Sequence, residues 1–332
     1  MEGAVFLTGG SGFVGSALVR RLVSQGRMVR ALARSDESAA ELAGTGATVV
    51  RGDLFDHEAL LEGMRGCASV FHVAGVNAMC VKDPAPMMRT NVDGSAAIVR
   101  AAAAARIARL VYTSSATTIG ERMHEIGHER TQHRGSFNSD YERSKVLGER
   151  RVIAVGESLG VPVVSVNPSS VQGPGRLRGS ARLLIDIVNG RLPVLVDTWL
   201  SVVDIEDCTA AHLLAEQHGV PGSRYIVSGA SLEVRTAVSL LRRASGHPRR
   251  VWFAPRIVAT AGGAVVGAGS RILGREGGRV CSETVRTLLH GHRFDASLAE
   301  RELGLAYTPI ETTIRRTLAW YAEQGLAPAP IG

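Results

Sequence analysis

Lysine is almost absent from this sequence: among its 38 basic residues, only Lys82 and Lys145 are lysines. The arginines are scattered along the chain. The net charge of +7 is therefore not gathered into the stripe of positive charge that a nucleic-acid-binding surface requires. The sequence predicts no nucleic-acid partner, and the position of each lysine needs its own explanation.

Cysteine is also scarce, and its spacing excludes two kinds of site. The four cysteines are far apart and form no Cys-x-x-Cys pair: Cys67, Cys80, Cys208 and Cys281. This spacing argues against zinc ribbons and against a disulfide framework. We therefore expect each cysteine to be a small buried residue, in a protein of the reducing cytoplasm.

Long apolar runs are missing as well. The chain starts with the short apolar run Ala4–Leu7 and lacks a charged n-region, so no signal peptide is predicted. The longest weakly polar run, Ile257–Gly269, is shorter than the roughly 20 residues that a membrane-spanning helix needs. The sequence therefore predicts no membrane span and a cytoplasmic location.

Apolar segments alternate with helix-like segments over residues 1–170. Because these strands are apolar throughout, they indicate a parallel sheet with helices on both faces. The predicted strands are Ala4–Thr8, Met28–Ala33, Ala47–Arg51, Val70–Val73, Leu110–Ser115 and Pro162–Pro168, and two predicted helices are Gly12–Gln25 and Asn91–Ala105. After Pro168 the strands are shorter and the loops longer. We predict an α/β fold, with a doubly wound parallel sheet in residues 1–170 and a smaller, mostly C-terminal substrate-binding region in residues 171–330. Later segments are expected to return to the first domain.

Three glycines follow the first predicted strand and open the first predicted helix. Gly9, Gly12 and Gly15 have the spacing G-x-x-G-x-x-G. A pyrophosphate must approach the backbone closely, and a helix N-terminus offers it unpaired N–H groups and a partial positive charge. A tight turn without a ligand is the other interpretation, but the place of the triplet at the first strand-to-helix turn favours a dinucleotide site in a Rossmann-type sheet.

The end of the second predicted strand indicates which dinucleotide binds. Sites for NAD usually have Asp or Glu there, which accepts a hydrogen bond from the adenosine ribose. Here Ala33 takes that position and Arg34 follows, so Arg34 is available to pair with a 2′-phosphate. This favours NADP(H) over NAD(H), unless the alignment shifts and brings in Asp36. Further along, Asp53 is placed to accept from the adenine amino group, or else to cap the next helix.

The rare lysine Lys145 lies four residues after Tyr141. On a helix these two positions point the same way, so both side chains can enter one cleft. A free phenol has a pKa of about 10, and a neighbouring ammonium group favours its ionised form. Lysine also reaches ribose hydroxyls as a compact donor. We expect Tyr141 to transfer a proton with the help of Lys145; the alternative is an exposed helical pair.

A serine is expected as the third member of this site. The predicted strand in RLVYTSSATTIG ends in two serines, Ser114 and Ser115. Ligands of open α/β sheets bind at the carboxyl ends of the strands, where a hydroxyl can steady an oxygen that gains negative charge. The residues alone do not choose between the two serines, and either could instead cap a helix.

Together these segments resemble the extended short-chain dehydrogenase/reductase family, which includes the NAD-dependent epimerases and dehydratases. The likeness covers nearly the whole chain, through TGGSGFVG, GDL, FHVAG, NVDGS, YTSSAT, YERSK, NPSSVQGPG and RFDASLAERELGL. The resemblance implies a catalytic set of Ser115, Tyr141 and Lys145. It implies cofactor contacts from Gly9, Gly12, Phe13, Val14, Gly15, Arg34, Asp53, Leu54, Ala74, Gly75, Tyr141, Lys145, Pro168 and Ser170.

Within that family the sequence most resembles the dihydroflavonol-4-reductase-like members. UDP-sugar epimerases usually carry an arginine where Leu200 stands, and Val-Tyr-Gly where Thr118–Gly120 stands. We therefore expect an NADP(H)-dependent carbonyl reductase or alcohol dehydrogenase that acts on a small organic ketone, aldehyde or alcohol. The alternatives are a sugar-nucleotide epimerase or dehydratase with tightly bound NAD, and a non-catalytic dinucleotide-sensing protein.

No metal site is predicted. His124, His128 and His133 are close in the sequence, but their segment is loop-like, contains Gly127 and has no carboxylate at ligand spacing. The family resemblance also implies a possible homodimer.

Overall fold

The computed structural model describes residues 3–177, 179–192, 194–246, 251–254 and 281–329. The apolar run Ile257–Gly269 lies outside these residues. Among the helices within them, none combines the length and the apolar character that crossing a membrane requires.

Seven of the described strands form one parallel sheet. They are β1 (Ala4–Thr8), β2 (Val29–Ala33), β3 (Thr48–Arg51), β4 (Cys67–His72), β5 (Arg109–Thr113), β6 (Val163–Pro168) and β10 (Arg224–Val227). Their order across the sheet is β10-β6-β5-β4-β1-β2-β3, and each neighbouring pair is parallel. The strand order reverses between β1 and β4, which is where ligands bind in such sheets. The predicted doubly wound Rossmann-type sheet is confirmed.

Two smaller sheets are built from the later part of the chain. Their strands are β7 (Ser170–Gln172), β8 (Val194–Val196), β9 (Trp199–Asp204), β11 (Ala230–Glu233) and β12 (Trp252–Ala254). One sheet has the order β11-β9-β7, and the other pairs β12 with β8. Between these strands the chain returns once to the main sheet, where β10 pairs with β6.

Helices flank the sheets. They are α1 (Phe13–Ser24), α2 (Asp36–Ala43), α3 (His57–Met64), α4 (Ala85–Met88), α5 (Ser95–Ala104), α6 (Asp140–Leu159), α7 (Ser180–Val188), α8 (Ile205–His218), α9 (Val234–Ser245), α10 (Ser282–His290), α11 (Ser297–Leu303) and α12 (Ile310–Glu323). A π-helical turn, Arg89–Gly94, leads into α5, and a 3₁₀ turn, Ala116–Ile119, follows β5.

The side chains of β1 show why its first four residues are all apolar. All five of its residues are buried. Val5 and Leu7 point to the core that includes residues of α1 and α8, whereas Phe6, between them, points to the core beneath α3 and α5. Since successive side chains of a strand face opposite sides, a strand covered on both sides is apolar at successive positions. The last residue, Thr8, is polar, and its hydroxyl is hydrogen-bonded to Nδ1 of His72 at 2.7 Å.

The π-helical turn departs from the prediction. The sequence pattern predicts one helix over Asn91–Ala105, but the helical run already starts with α4, passes through the π turn Arg89–Gly94 and continues as Ser95–Ala104. A π turn adds one residue to a helical turn without ending the helix. The apolar periodicity therefore predicts the helix but not the wider turn in it.

A disulfide bond corrects the prediction for the cysteines. Cys80 and Cys281 are bonded across a sequence separation of 201 residues, so the expectation that all four cysteines are reduced is wrong for this pair. Cys67 and Cys208 are free and buried, as expected. The bond ties the loop between β4 and α4 to the start of α10. The cysteines therefore no longer argue for a reducing compartment.

We predict that reduction of this bond destabilises the protein. A cross-link that closes so long a loop restricts the unfolded chain, which is worth about 4–5 kcal/mol in the chain-entropy model. Dithiothreitol should lower the Tm of the unmodified protein by several degrees. The double variant Cys80→Ser, Cys281→Ser should melt at that lower temperature with or without reductant. Four reactive thiols in denaturant without reductant, instead of two, would contradict the bond.

Candidate active site

The glycine loop packs against the end of β4. Gly9 has a φ of +76°, and a Cβ there would lie 2.5 Å from the backbone nitrogen of Ala74. Helix α1 begins after Gly12 with no side-chain cap and no acidic residue in its first turn. The loop therefore leaves the N-terminus of α1 open to an anion, close to Ala74 and the neighbouring Gly75.

The first turn of α1 contains the other predicted residues of the loop. Gly15 is buried, and a Cβ there would overlap the carbonyl oxygen of Gly9. Phe13 and Val14 are partly buried and pack on the main core. The guanidinium of Arg176 lies 5.7 Å from the centroid of the Phe13 ring. The loop that follows β7 therefore reaches the glycine loop.

An open cavity lies at the carboxyl ends of β2 and β3. It has a volume of about 410 Å³ and is lined by Arg34, Gly52, Asp53, Phe55 and Asp56. Asp56, not Asp53, is the N-cap of α3, where it accepts from the backbone N–H of Ala59 at 3.0 Å. Among the residues that the structure describes, the hydrogen bond that Asp53 accepts is local, from the N–H of Phe55 at 2.7 Å. Its carboxylate therefore remains on the cavity wall.

Two residues near this cavity bear on the predicted contacts. Leu54 is partly buried with the core of α3 and α5, against Gly94, and is not among the residues that line the cavity. Asp36 is the first residue of α2 and forms an ion pair with Arg51 at 2.6 Å. Arg51 also donates to the carbonyl of Ser35 at 2.8 Å. Asp36 therefore does not occupy the cavity wall, where Arg34 is the exposed cationic side chain.

The ammonium group of Lys145 is buried at the carboxyl end of β5. Its Nζ donates to the carbonyl of Thr113 at 2.8 Å and to the hydroxyl of Tyr112 at 3.1 Å. A Cβ on Gly75 would lie 3.8 Å from this nitrogen. Burial lowers the pKa of Lys145, an effect that the neighbouring Tyr141 and Glu149 oppose. Lys145 therefore lies between the end of β5 and the predicted cofactor strand β4.

Tyr141 is half-buried in the first turn of α6. The helix begins at Ser139, whose side chain accepts from the N–H of Glu142 at 3.1 Å. Tyr141 is near enough to raise the pKa of both Lys145 and the half-buried Arg176, against the effect of their burial. Because the cap fixes where α6 starts, it also fixes the direction in which Tyr141 and Lys145 point from the helix.

Asn91 joins the chain that follows β4 to the helix of Tyr141. From the π-helical turn its Oδ1 accepts from the N–H of Val76 at 2.8 Å, and its Nδ2 donates to the carbonyl of Val76 and to Oγ of Ser144. Ser144 in turn donates to the carbonyl of Tyr141 at 2.7 Å. The sequence gives Asn91 only as part of the NVDGS motif; the role of the amide follows from the fold.

The two serines after β5 have different surroundings. Ser115 is the N-cap of the 3₁₀ turn, and its Oγ accepts from the N–H of Thr117 at 3.3 Å and from its hydroxyl at 2.9 Å. Because a hydroxyl has one proton and two lone pairs, the Ser115 proton is still available for another acceptor. The Oγ of Ser114 is buried and has no hydrogen-bond partner among the described residues.

A buried polar network supports the segment of Ser115 from behind. Asn167, on β6, donates from Nδ2 to the carbonyl of Ser115 at 3.3 Å and also to Glu149. Glu149 pairs with Arg224 of β10 at 3.2 Å. The sequence does not indicate these partners, because they come from three separate elements, β6, α6 and β10.

The remaining predicted contacts lie where β6 passes into β7. Pro168 is the last residue of β6, and Ser170 is the first of β7. The hydroxyl of Ser170 is 3.1 Å from that of Ser180 and accepts from Gln172 at 2.9 Å. Arg176, which follows the NPSSVQGPG motif, is half-buried, and partial burial lowers the pKa of its guanidinium.

Glu283 connects two sides of the cleft. One carboxylate oxygen accepts from the N–H of Cys80 at 2.9 Å, and the other accepts from the N–H of Asp140 at 2.8 Å. Asp140 directly precedes Tyr141. The start of α10 therefore holds the loop after β4 against the start of α6, in addition to the disulfide bond.

Comparisons with known proteins agree with this arrangement. Sterol demethylase protein B of Methylococcus capsulatus is 30% identical over 324 residues, which cover 96% of this chain and 98% of that protein. Dihydroflavonol 4-reductase of Zea mays is 28% identical over 264 residues, 73% of this chain and 74% of that protein. The crystal structure of gox2253 matches with a TM-score of 0.85 and 27% identity, over 98% of this chain and 99% of that one.

The family assignment rests on the sheet and its adjoining loops. The model of the NAD dependent epimerase/dehydratase family matches residues 5–228, which run from β1 through the glycine loop and Lys145 to β10. Members of this family use nicotinamide dinucleotides. The chain belongs to the NAD dependent epimerase/dehydratase family.

Proposed function

We propose that this protein is an NADP(H)-dependent oxidoreductase that reduces a ketone or aldehyde of a small organic molecule, or oxidises the corresponding alcohol. The observation that carries the proposal is the buried ammonium group of Lys145, one helical turn from Tyr141 and close to Gly75. A reductase among the relatives supports the same reaction class.

The described residues fit a dinucleotide along the carboxyl edge of the sheet. The uncapped N-terminus of α1 and the absence of side chains at Gly9, Gly12 and Gly15 suit a pyrophosphate. The cavity with Asp53 suits an adenosine. The residues that we propose to contact the cofactor are Gly9, Gly12, Phe13, Val14, Gly15, Arg34, Asp53, the backbone of Leu54, Ala74, Gly75, Tyr141, Lys145, Pro168 and Ser170.

The chemistry of the chain's own residues is proton transfer and charge stabilisation. When bound, the reduced nicotinamide supplies a hydride to the carbonyl carbon. Tyr141 gives its hydroxyl proton to the carbonyl oxygen, and the ammonium of Lys145 stabilises the phenolate that remains. Ser115 uses its remaining hydroxyl proton to hold the same oxygen in place. In the oxidation direction each proton moves the opposite way.

The choice of NADP(H) depends on the charge at the cavity. Asp36, the carboxylate that could have served an NAD ribose, is paired with Arg51 and does not line the cavity. Arg34 is exposed on the wall. A guanidinium binds a phosphate in a forked geometry, whereas a carboxylate would repel it.

Two alternatives make different predictions for the purified protein. An epimerase or dehydratase regenerates its dinucleotide within each turnover, so it would purify with stoichiometric NAD that denaturation releases. A dinucleotide-sensing protein would bind the cofactor but oxidise no NADPH with any member of a panel of ketones and aldehydes. Cofactor-free protein that consumes added NADPH with such a panel supports the reductase.

Gly9→Ala should weaken dinucleotide binding at least tenfold. The added Cβ would meet the backbone of Ala74 and push the glycine loop away from β4. Gly26→Ala is a matched control, because Gly26 also has a φ of +76° but has nothing within 4 Å of the added Cβ. NADPH titration followed by fluorescence measures both. Equal loss in the two variants would mean that backbone strain alone, and not the cofactor loop, causes the effect.

Tyr141→Phe should lower kcat by about 100-fold or more, because loss of a general acid costs roughly that much. The Kd for NADPH should change little, since the aromatic ring is retained. Tyr321→Phe serves as the control: that hydroxyl is buried without a hydrogen-bond partner among the described residues. Steady-state rates of NADPH oxidation give kcat. A Tyr141→Phe variant with the rate of the unmodified enzyme would refute the assignment.

Arg34→Asp should reverse the preference for the dinucleotide. The KM for NADPH should rise at least tenfold, because the 2′-phosphate would face a carboxylate, whereas the KM for NADH should change far less. Arg20→Asp makes the same charge change on an exposed residue of α1 and should alter neither value much. If both values for Arg34→Asp rise equally, the residue does not recognise the phosphate.

A further inference from the structure

Three side chains from two distant parts of the chain meet beyond the 3₁₀ turn that Ser115 caps. Glu121 follows the 3₁₀ turn after β5, His290 is the last residue of α10, and His292 comes two residues later. One ligand atom from each side chain lies within 4.8 Å of the other two. None of them belongs to the histidines singled out in the sequence, His124, His128 and His133.

Some of the polar atoms in this cluster have no partner. Glu121 is 1% exposed and His290 is 5% exposed. The Oε1 of Glu121 is 2.6 Å from Nδ1 of His292 and 3.4 Å from Nε2 of His290. Its Oε2, and the Nε2 atoms of both histidines, are buried without a hydrogen-bond partner among the described residues. For Nε2 of His290, which lies toward the Glu121 carboxylate, such burial is costly unless something binds the atom.

The backbone between the histidines directs both rings to the same place. Gly291 has a φ of +71°, and a Cβ there would lie 2.5 Å from the hydroxyl of Thr198. The two imidazole rings consequently lie side by side, with centroids 4.6 Å apart. A residue other than glycine would strain this turn and move His292 away from His290.

The charges around the cluster leave room for a cation. Glu121 turns its Oε1 toward the imidazole rings of both His290 and His292. Arg134 pairs with Glu142, and its contact with Glu121 is a hydrogen bond to the backbone carbonyl. Among the described residues, the ion pairs of the Glu121 carboxylate are with the two histidines alone.

We propose that Glu121, His290 and His292 bind a divalent transition-metal ion, of which Zn²⁺ is the one to test. Two imidazoles and one carboxylate are ligands that Zn²⁺ prefers, and three protein ligands leave a fourth position for water. Bonds of about 2.0–2.1 Å in a tetrahedral site separate the ligand atoms by roughly 3.3 Å. The distance from Oε1 of Glu121 to Nε2 of His290, 3.4 Å, is already close to that value. The distance from Oε1 to Nδ1 of His292, 2.6 Å, would lengthen when the ion replaces the proton that lies between these two atoms.

The ion would join two segments that are 169 to 171 residues apart in sequence. It would hold the end of α10, through His290 and His292, against Glu121, which follows the 3₁₀ turn that Ser115 caps. The ion would have a structural function, because none of its three ligands belongs to the proposed catalytic set of Ser115, Tyr141 and Lys145.

The test begins with untagged protein that has been treated with EDTA and desalted. Calorimetric titration should show one Zn²⁺ per chain with a Kd of about 1 μM or tighter, and no comparable binding of Mg²⁺, which prefers oxygen ligands. Glu121→Gln and His292→Phe should each weaken Zn²⁺ binding at least tenfold. His218→Ala, which removes an exposed histidine of α8, should leave it unchanged.

A crystal soaked in Zn²⁺ locates the ion even if a variant fails to fold. An anomalous peak between Glu121, His290 and His292 supports the site. The proposal is overturned if EDTA-treated protein does not bind Zn²⁺ below about 100 μM, or if the ion is found elsewhere. Folded His292→Phe that binds like the unmodified protein overturns it as well. These outcomes do not depend on enzymatic turnover, so they are separate from the tests of the reductase.

Discussion

The burial of one ammonium group constrains the rest of the site. A charged amine taken out of water is costly unless hydrogen-bond acceptors surround it, and for Lys145 these are the carbonyl of Thr113 and the hydroxyl of Tyr112. Both acceptors belong to β5, so α6 has to pack in the register that brings Lys145 to the end of that strand. An arginine has a planar fork in place of a compact ammonium and would not fit these acceptors. This explains a lysine in a chain that otherwise uses arginine.

The place of the Lys145 ammonium also depends on glycines in the neighbouring strands and loops. Gly75 lies beside the ammonium of Lys145, and Gly9 lies against Ala74, so β1, β4 and β5 approach one another closely at their carboxyl ends. Asn91 then holds the chain after Gly75 to α6 through Val76 and Ser144. Close backbone approach on one side and a buried amide on the other therefore fix the chain after β4 relative to α6.

The parts of this structure that the sequence predicts are those set by local pattern. β1 begins and ends where predicted because four apolar residues in a row precede Thr8 and the glycine loop. Tyr141 and Lys145 lie on one helix, as their expected common direction requires. Features that depend on which distant segments meet are not predicted. The disulfide of Cys80 and the cluster of Glu121 join residues far apart in sequence, and their pairing follows only from the folded chain. Leu54, predicted from its motif, turns out to pack with the core through its side chain.

Different parts of the chain hold the proposed catalytic groups and the walls of the cleft. The proposed catalytic groups are held by strands and a helix of the main sheet, which the hydrophobic core fixes. The walls of the cleft are held instead by residues 281–292: Glu283 fixes the start of α6 and the loop after β4, and His292 contacts Glu121 after the serine segment. Changes in this short segment would reshape the space for the substrate while leaving Lys145 and its acceptors in place. Related chains can therefore share the reaction chemistry of the sheet and still differ in substrate.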